Sequence, residues 1–196
     1  MLETFNVQSF SLAPAEIFSL YSYGLKTGIV IDLGYECTQI ACINEGIYLD
    51  EYCQMIELGG NHLSSYLMKP IAERGYSFTT TAGRELLRDM KEQLCSVAAD
   101  FVNEYYSCLD KNYKLPDGQL ITLGNERFRC TEVLFQPNLL QSEKLSGVHQ
   151  LVFDLIEKCD DLDLRRNLYS NIILYGGASM FKTEDYKTKL ETWIRN

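Results

Sequence analysis

Two short apolar runs, each ending in glycine, leave this chain few ways to fold. The first is Ile29-Val30-Ile31-Asp32-Leu33-Gly34, and the second runs through Leu174-Tyr175 into Gly176-Gly177. Their β-branched and aromatic content predicts buried strands, each stopped by a tight turn. Helical periodicity recurs between them, and strands alternating with helices predict an α/β fold.

Around these strands the chain divides readily. Pro14 and the AEIFSLYSYG after it predict a short helix stopped at Gly24. CTQIACINEGIYLDEYCQMIEL predicts a meander turning at Asn44-Glu45-Gly46. Gly59-Gly60 precedes a helix over Leu63 to Ala72, with Leu63, Tyr66 and Leu67 as its buried stripe and Pro70 bending or shortening it. In the segment 73–100, Thr81 is the predicted N-cap of a helix whose apolar face is Leu87, Met90, Leu94, Val97, Ala98 and Phe101. Residues 107–114 read as polar connection, Pro116-Asp117-Gly118 as a turn, and QLITLGNERFR as a hairpin around Gly124-Asn125. Ser146 is placed to cap a helix with Val148, Leu151, Val152, Leu155 and Ile156 on its apolar side. CDDLDLRRNLY predicts a further short helix, and a last one carries Tyr186, Leu190, Trp193 and Ile194.

Composition narrows the functional classes. A net charge of −9 argues against binding nucleic acid or an anionic membrane, since both need a basic surface. Seven cysteines without a CxxC, distant in sequence from His62 and His149, argue against a zinc site and fit a reducing compartment. The first residues have neither the charged nor the apolar region of a signal peptide, and no apolar run nears the ~20 residues of a membrane span. The expectation is a soluble intracellular protein.

Three groups of residues could carry chemistry. An aspartate leaving a buried strand beside glycine, as Asp32 does before Gly34, can hold a hydrated Mg²⁺ while the glycine admits phosphate to the backbone. Turn chemistry alone produces the same pattern. Gly176-Gly177 lets main chain approach a flat ligand or phosphate, and again a turn accounts for it equally. Arg88, Lys91, Glu92 and Cys95 fall at i, i+3, i+4 and i+7 on one helical face, which by spacing alone is a solvated face.

A family resemblance ties these groups together. Residues 75–95 and the run LPDGQLITLGNERFRC at 115–130 resemble actin nearly letter for letter, and the likeness extends from Leu2-Glu3-Thr4-Phe5-Asn6 to around Lys182. It implies a partial actin-like (actin/hexokinase/Hsp70-type ATPase) fold, a mixed sheet with flanking helices plus a smaller α+β subdomain. Residues 1–25 would be a remnant of actin's first subdomain, 26–57 and 146–196 its third, and 58–145 its fourth. The implied cofactor is ATP or ADP with Mg²⁺ or Ca²⁺. Asp32 and Gly34 would lie on the second phosphate loop, with Asp32 toward the metal, Gly60 near the ribose, and Arg88, Lys91 and Glu92 beside the adenosine. Gly176 and Gly177 would line the adenine and sugar pocket, with Met180 and Phe181 flanking the base. Without the family, Met180-Phe181 reads as simple core.

Departures from the actin pattern weaken that implication. Actin's first phosphate loop belongs to a portion that precedes the position of Met1. The water-positioning glutamine falls on Ala15 and its histidine helper on Gln39. Actin's Asp-Ser-Gly-Asp-Gly loop reads Asp32-Leu33-Gly34-Tyr35-Glu36, which removes an aspartate and a glycine and adds a carboxylate. Losing a few charge-assisted hydrogen bonds costs about 5 kcal/mol, roughly a few thousandfold in affinity. The expectation is weak or absent nucleotide binding and no catalytic residues. Glu16, next to Ala15, points about 100° away on a helix and is a poor substitute.

The function expected is an actin-like cytoskeletal interaction protein that docks to other actin-family subunits or to actin-binding proteins in the cytoplasm. The alternative is an actin-type ATPase subunit completed by a longer gene product or a partner. Leu139-Leu140, within the segment 137–144, would be an apolar docking tip or else a local core contact. Ile17 and Leu20, with Phe18, Ile29 and Ile31, are expected to leave an apolar face for a partner.

Overall fold

The computed structural model describes residues 2–140, 145–181, 189, 190 and 192. In chain order the elements are α1 (Leu2–Phe5), α2 (Ala15–Ser22), β1 (Gly28–Leu33), β2 (Thr38–Asn44), β3 (Ile47–Ile56), α3 (Gly60–Glu73), α4 (Thr81–Leu94) and α5 (Phe101–Ser107). Then come β4 (Lys111–Lys114), β5 (Leu120–Leu123), α6 (Glu126–Glu132), α7 (Val148–Glu157), α8 (Leu162–Ser170) and β6 (Ile172–Tyr175), followed by a 3-10 turn at Gly177–Ser179.

Both apolar runs are strands, and they are neighbours. The described residues form a four-stranded sheet in the order β3-β2-β1-β6, in which β6 lies parallel to β1 and the other pairs are antiparallel. Side chains alternate across this sheet. Ile29, Ile31, Leu33, Ile40 and Cys42 join the main core, which also takes in residues of α3, α4, α7 and α8. Val30, Ile43 and Ile173 form a second cluster with α2. Because β1 pairs with strands on both sides, Asp32 lies opposite both Gln39 and Tyr175. A separate two-stranded hairpin, β4-β5, contacts α4.

The expected open apolar face is closed. Leu20 is wholly buried and Ile17 nearly so, because α2 lays both on Val30, Ile43 and Ile173. Ile29 and Ile31 are buried in the main core. Of that group Phe18 stays exposed, at 53%. Ile17 and Leu20 are therefore internal packing and offer no partner surface. Ile17→Val is expected to cost about 0.5–1.5 kcal/mol, as loss of one buried methyl does, read as a lower urea midpoint at unchanged slope. A midpoint equal to wild type would mean that the packing of α2 contributes little to the fold.

Leu139 and Leu140 are half-buried and pack against the main core, in keeping with a local core contact. The rest of the predicted tip, Gln141 to Lys144, lies outside the described residues. So do Tyr186, Trp193 and Ile194 of the last predicted helix, whereas Leu190 is buried in the main core.

Several local expectations change. Helix α3 starts at Gly60 and continues through Pro70 to Glu73, so the proline does not shorten it. The hairpin turns at 115–119, where Leu115 N–H donates to Gln119 O, and its first strand falls in the stretch read as polar connection. Gly124-Asn125 instead opens α6, since Glu126 folds back to accept from Gly124 N–H at 2.8 Å. The central helix ends at Leu94, short of Val97, Ala98 and Phe101. Thr131 Oγ1 donates to Ser96 O at 2.8 Å, and Asp100 starts α5 by accepting from Val102 and Asn103 N–H, so side chains take over the backbone groups there. The N-caps are Thr80, whose hydroxyl accepts from Gly83 N–H, and Gly147 in place of Ser146.

Candidate functional site

Glycines bring the start of α3 against the turn after β1. A Cβ on Gly59 would sit 2.6 Å from Tyr35 O and 2.8 Å from Gly34 O, so only glycine lets the two segments touch. Across that contact Gly60 N–H donates to Gly34 O and Asn61 N–H donates to Tyr35 O, at 3.0 and 2.8 Å. Lys91, on the inward side of α4, completes the joint: its Nζ donates to Gly60 O at 2.7 Å. Burial lowers the Lys91 pKa below the ordinary lysine value.

Beside this joint is a cavity of about 560 Å³, within the range of small-ligand sites. Gly34, Gly60, Arg88, Lys91 and Glu92 form one part of its wall. Gly177, Met180 and Phe181 form another, so eight of the predicted ligand residues lie together. Met180 stands 80% exposed, whereas Phe181 is buried in the main core, and the two do not form an equivalent pair. The predicted solvated face of α4 is only half solvated: Arg88 and Glu92 are exposed, but Lys91 and Cys95 are buried. Arg88 is already paired, with Glu85 at 2.7 Å and Glu92 at 3.8 Å.

Asp32 and Gly176 are not among the residues lining this cavity. Gly176 has φ +95° and ψ 162°, and a Cβ there would lie 2.4 Å from Asp32 Oδ1. Its role is to let β6 turn past Asp32. Asp32 shares the α2 face of the sheet with Gln39 and Tyr175, its partners in register. Gln39 Nε2 donates to Tyr48 OH at 3.0 Å. Burial pushes the Tyr48 pKa up to about 12, and burial, then Asp32 and Glu16, push the Tyr175 phenol up as well.

Two residues take places that local pattern did not give them. Ala15 is exposed, and it is Glu16 that α2 turns inward with Ile17 and Leu20. The 16/17/20 stripe was available as a signal. Tyr35 lines the cavity, and its hydroxyl donates to Asn61 Oδ1 at 3.4 Å; nothing in the local sequence pairs these residues. Glu36 is held close by, accepting from Asn61 Nδ2 at 3.3 Å.

Part of the donor set that a nucleotide phosphate would meet is already used within the chain. The amides of Gly34, Gly60 and Asn61 donate to the Cys37, Gly34 and Tyr35 carbonyls and are not open to an anion. Among the described residues no group of three or more His, Cys, Asp or Glu side chains is arranged to hold a metal ion. The seven cysteines are free thiols, and among the described residues no helix is long and apolar enough to cross a membrane.

Comparison with known proteins agrees with this architecture. The chain matches the family model described as Actin over residues 1–190. It is 42% identical over 203 residues to a protein of Dictyostelium discoideum named putative actin-29. That match covers 100% of this chain and 51% of the relative, so the chain spans about half the length of the curated relative it matches.

Proposed function

Because the chain belongs to the actin family, we propose that it serves as an actin-like cytoskeletal interaction protein without competent ATP hydrolysis. The observation that carries this reading is the state of the two positions that would handle the attacking water. Ala15 has no polar side chain, and the Gln39 amide is engaged by Tyr48 OH at 3.0 Å. Neither can take a proton. Glu16 is turned toward the sheet, beside Tyr48 and Tyr175, and is not among the residues lining the cavity.

In this reading residues 26–57 and 146–196 correspond to actin's third subdomain, which the shared sheet of β1, β2, β3 and β6 supports. Residues 58–145 correspond to the fourth and 1–25 to part of the first. The partners are other actin-family subunits or actin-binding proteins, in the cytoplasmic cytoskeleton. Phosphate release from MgATP by the purified chain is expected to stay at buffer background. A turnover that disappears in Asp32→Ala would overturn the proposal.

One observation favours a second reading, an ATPase subunit completed by a partner: the cavity keeps Arg88, Lys91 and Glu92 on its wall. Phosphate release that occurs only on mixing with another actin-family chain would select it.

A further inference from the structure

We propose that the cavity between α3, α4 and the turn after β6 takes an uncharged nucleoside and discriminates against its phosphorylated forms. The proposal rests on reading this cavity as the nucleotide pocket of the family, and it adds that this chain has closed the phosphate end with its own groups.

Three features act against phosphate. The first is the use of the donors at the start of α3. Gly60 and Asn61 N–H are taken by the carbonyls of Gly34 and Tyr35, and His62 and Leu63 N–H both donate to Gly59 O. Gly59 N–H in turn donates to His62 Nδ1 at 3.2 Å. A helix N-terminus attracts an anion through unsatisfied amides, and here they are already used. The second feature is charge. Arg88 is shared between Glu85 and Glu92, and Lys91 is committed to Gly60 O, while Glu36 stands on Asn61. A triphosphate would find these cations already matched, and Glu36, next in sequence to Tyr35 of the wall, adds negative charge to that segment. The third is the side chain of Tyr35, which stands on the cavity wall with its hydroxyl on the same asparagine that anchors Glu36. The Tyr35 ring thus shares the wall with Gly34 and Gly60, while the Glu36 carboxylate, which is not among the lining residues, is held by Asn61.

The remaining wall suits a neutral ligand with a flat ring and hydroxyls. Phe181 and the backbone at Gly177-Ala178 offer an apolar surface, open at Gly177, where a Cβ would meet nothing within 4 Å. Glu92 is an acceptor for sugar hydroxyls, and the Arg88 plane can stack on a heteroaromatic ring.

The test is calorimetric titration of the full chain with adenosine, with MgATP and with inorganic phosphate, alongside Glu36→Gly. Adenosine is expected to bind, MgATP to bind no tighter than adenosine, and phosphate not to bind. Glu36→Gly is expected to improve MgATP affinity about tenfold, the effect of roughly 1.4 kcal/mol, with adenosine unchanged. Wild-type MgATP affinity above that of adenosine overturns the proposal, as does binding of phosphate or no binding of adenosine at all. Tight MgATP binding without phosphate release would sink this inference alone, whereas phosphate release would sink the proposed function.

Discussion

Lys189→Ala is expected to destabilise the protein by about 3–5 kcal/mol, lowering its melting temperature by roughly 6–20 °C for a chain of this size. Lys189 Nζ pairs with Glu132 of α6, and both side chains are 1% exposed. The Glu132 carboxylate also accepts from Gln136 Nε2 at 2.9 Å, and the ammonium lies 4.7 Å from the Phe135 ring centroid. Removing the lysine leaves a carboxylate in the interior facing an amide and an aromatic ring. The cost is that of an uncompensated buried charge, which exceeds the value of the pair itself. The double replacement Lys189→Met with Glu132→Leu is accordingly expected to regain most of the loss, because no ion is then buried. Circular dichroism melts of the wild type and both variants decide the matter. If Lys189→Ala melts with the wild type, water reaches Glu132 and the pair does not hold Lys189 to α6.

The second large effect separates two adjacent glycines. Gly176→Ala is expected to cost about 3 kcal/mol or more, while Gly177→Ala stays within roughly 1 kcal/mol of wild type. Gly176 occupies φ +95°, ψ 162°, a region essentially reserved for glycine. A methyl group there would also lie 2.4 Å from Asp32 Oδ1 and 2.5 Å from Leu33 O, and the backbone oxygen cannot swing aside. Gly177 has neither problem, since its Cβ would meet nothing within 4 Å. Urea denaturation of the two single variants, fitted with a common slope, gives the difference directly. Equal midpoints would show that β6 does not turn past Asp32 as described.

Much of the site was legible from residue order because the interactions that build it are local. The helical spacing of Arg88, Lys91 and Glu92 places them on α4 whatever the rest of the chain does, and glycine at the end of β6 follows from a turn that other residues resist. The exposure of each group was not legible in the same way. Lys91 and Glu92 are adjacent in sequence, yet one is buried on Gly60 and the other open to solvent, because α3 covers only one side of α4.

Residue order was enough for the strands, most of the helices, their apolar stripes and the family, since these rest on periodicity, turn chemistry and residue identity along short stretches. Three features depended on tertiary contacts. The central helix stops at Leu94, and α6 takes the Ser96 carbonyl beyond it. Ile17 and Leu20 are core because α2 folds back on the same sheet that β6 joins from the far end of the chain. The start of α3 and the turn after β1 meet because they satisfy each other's backbone groups. In each case the deciding partner is distant in sequence, and a hydrogen bond or packed face formed at long range outweighs the local preference it replaces.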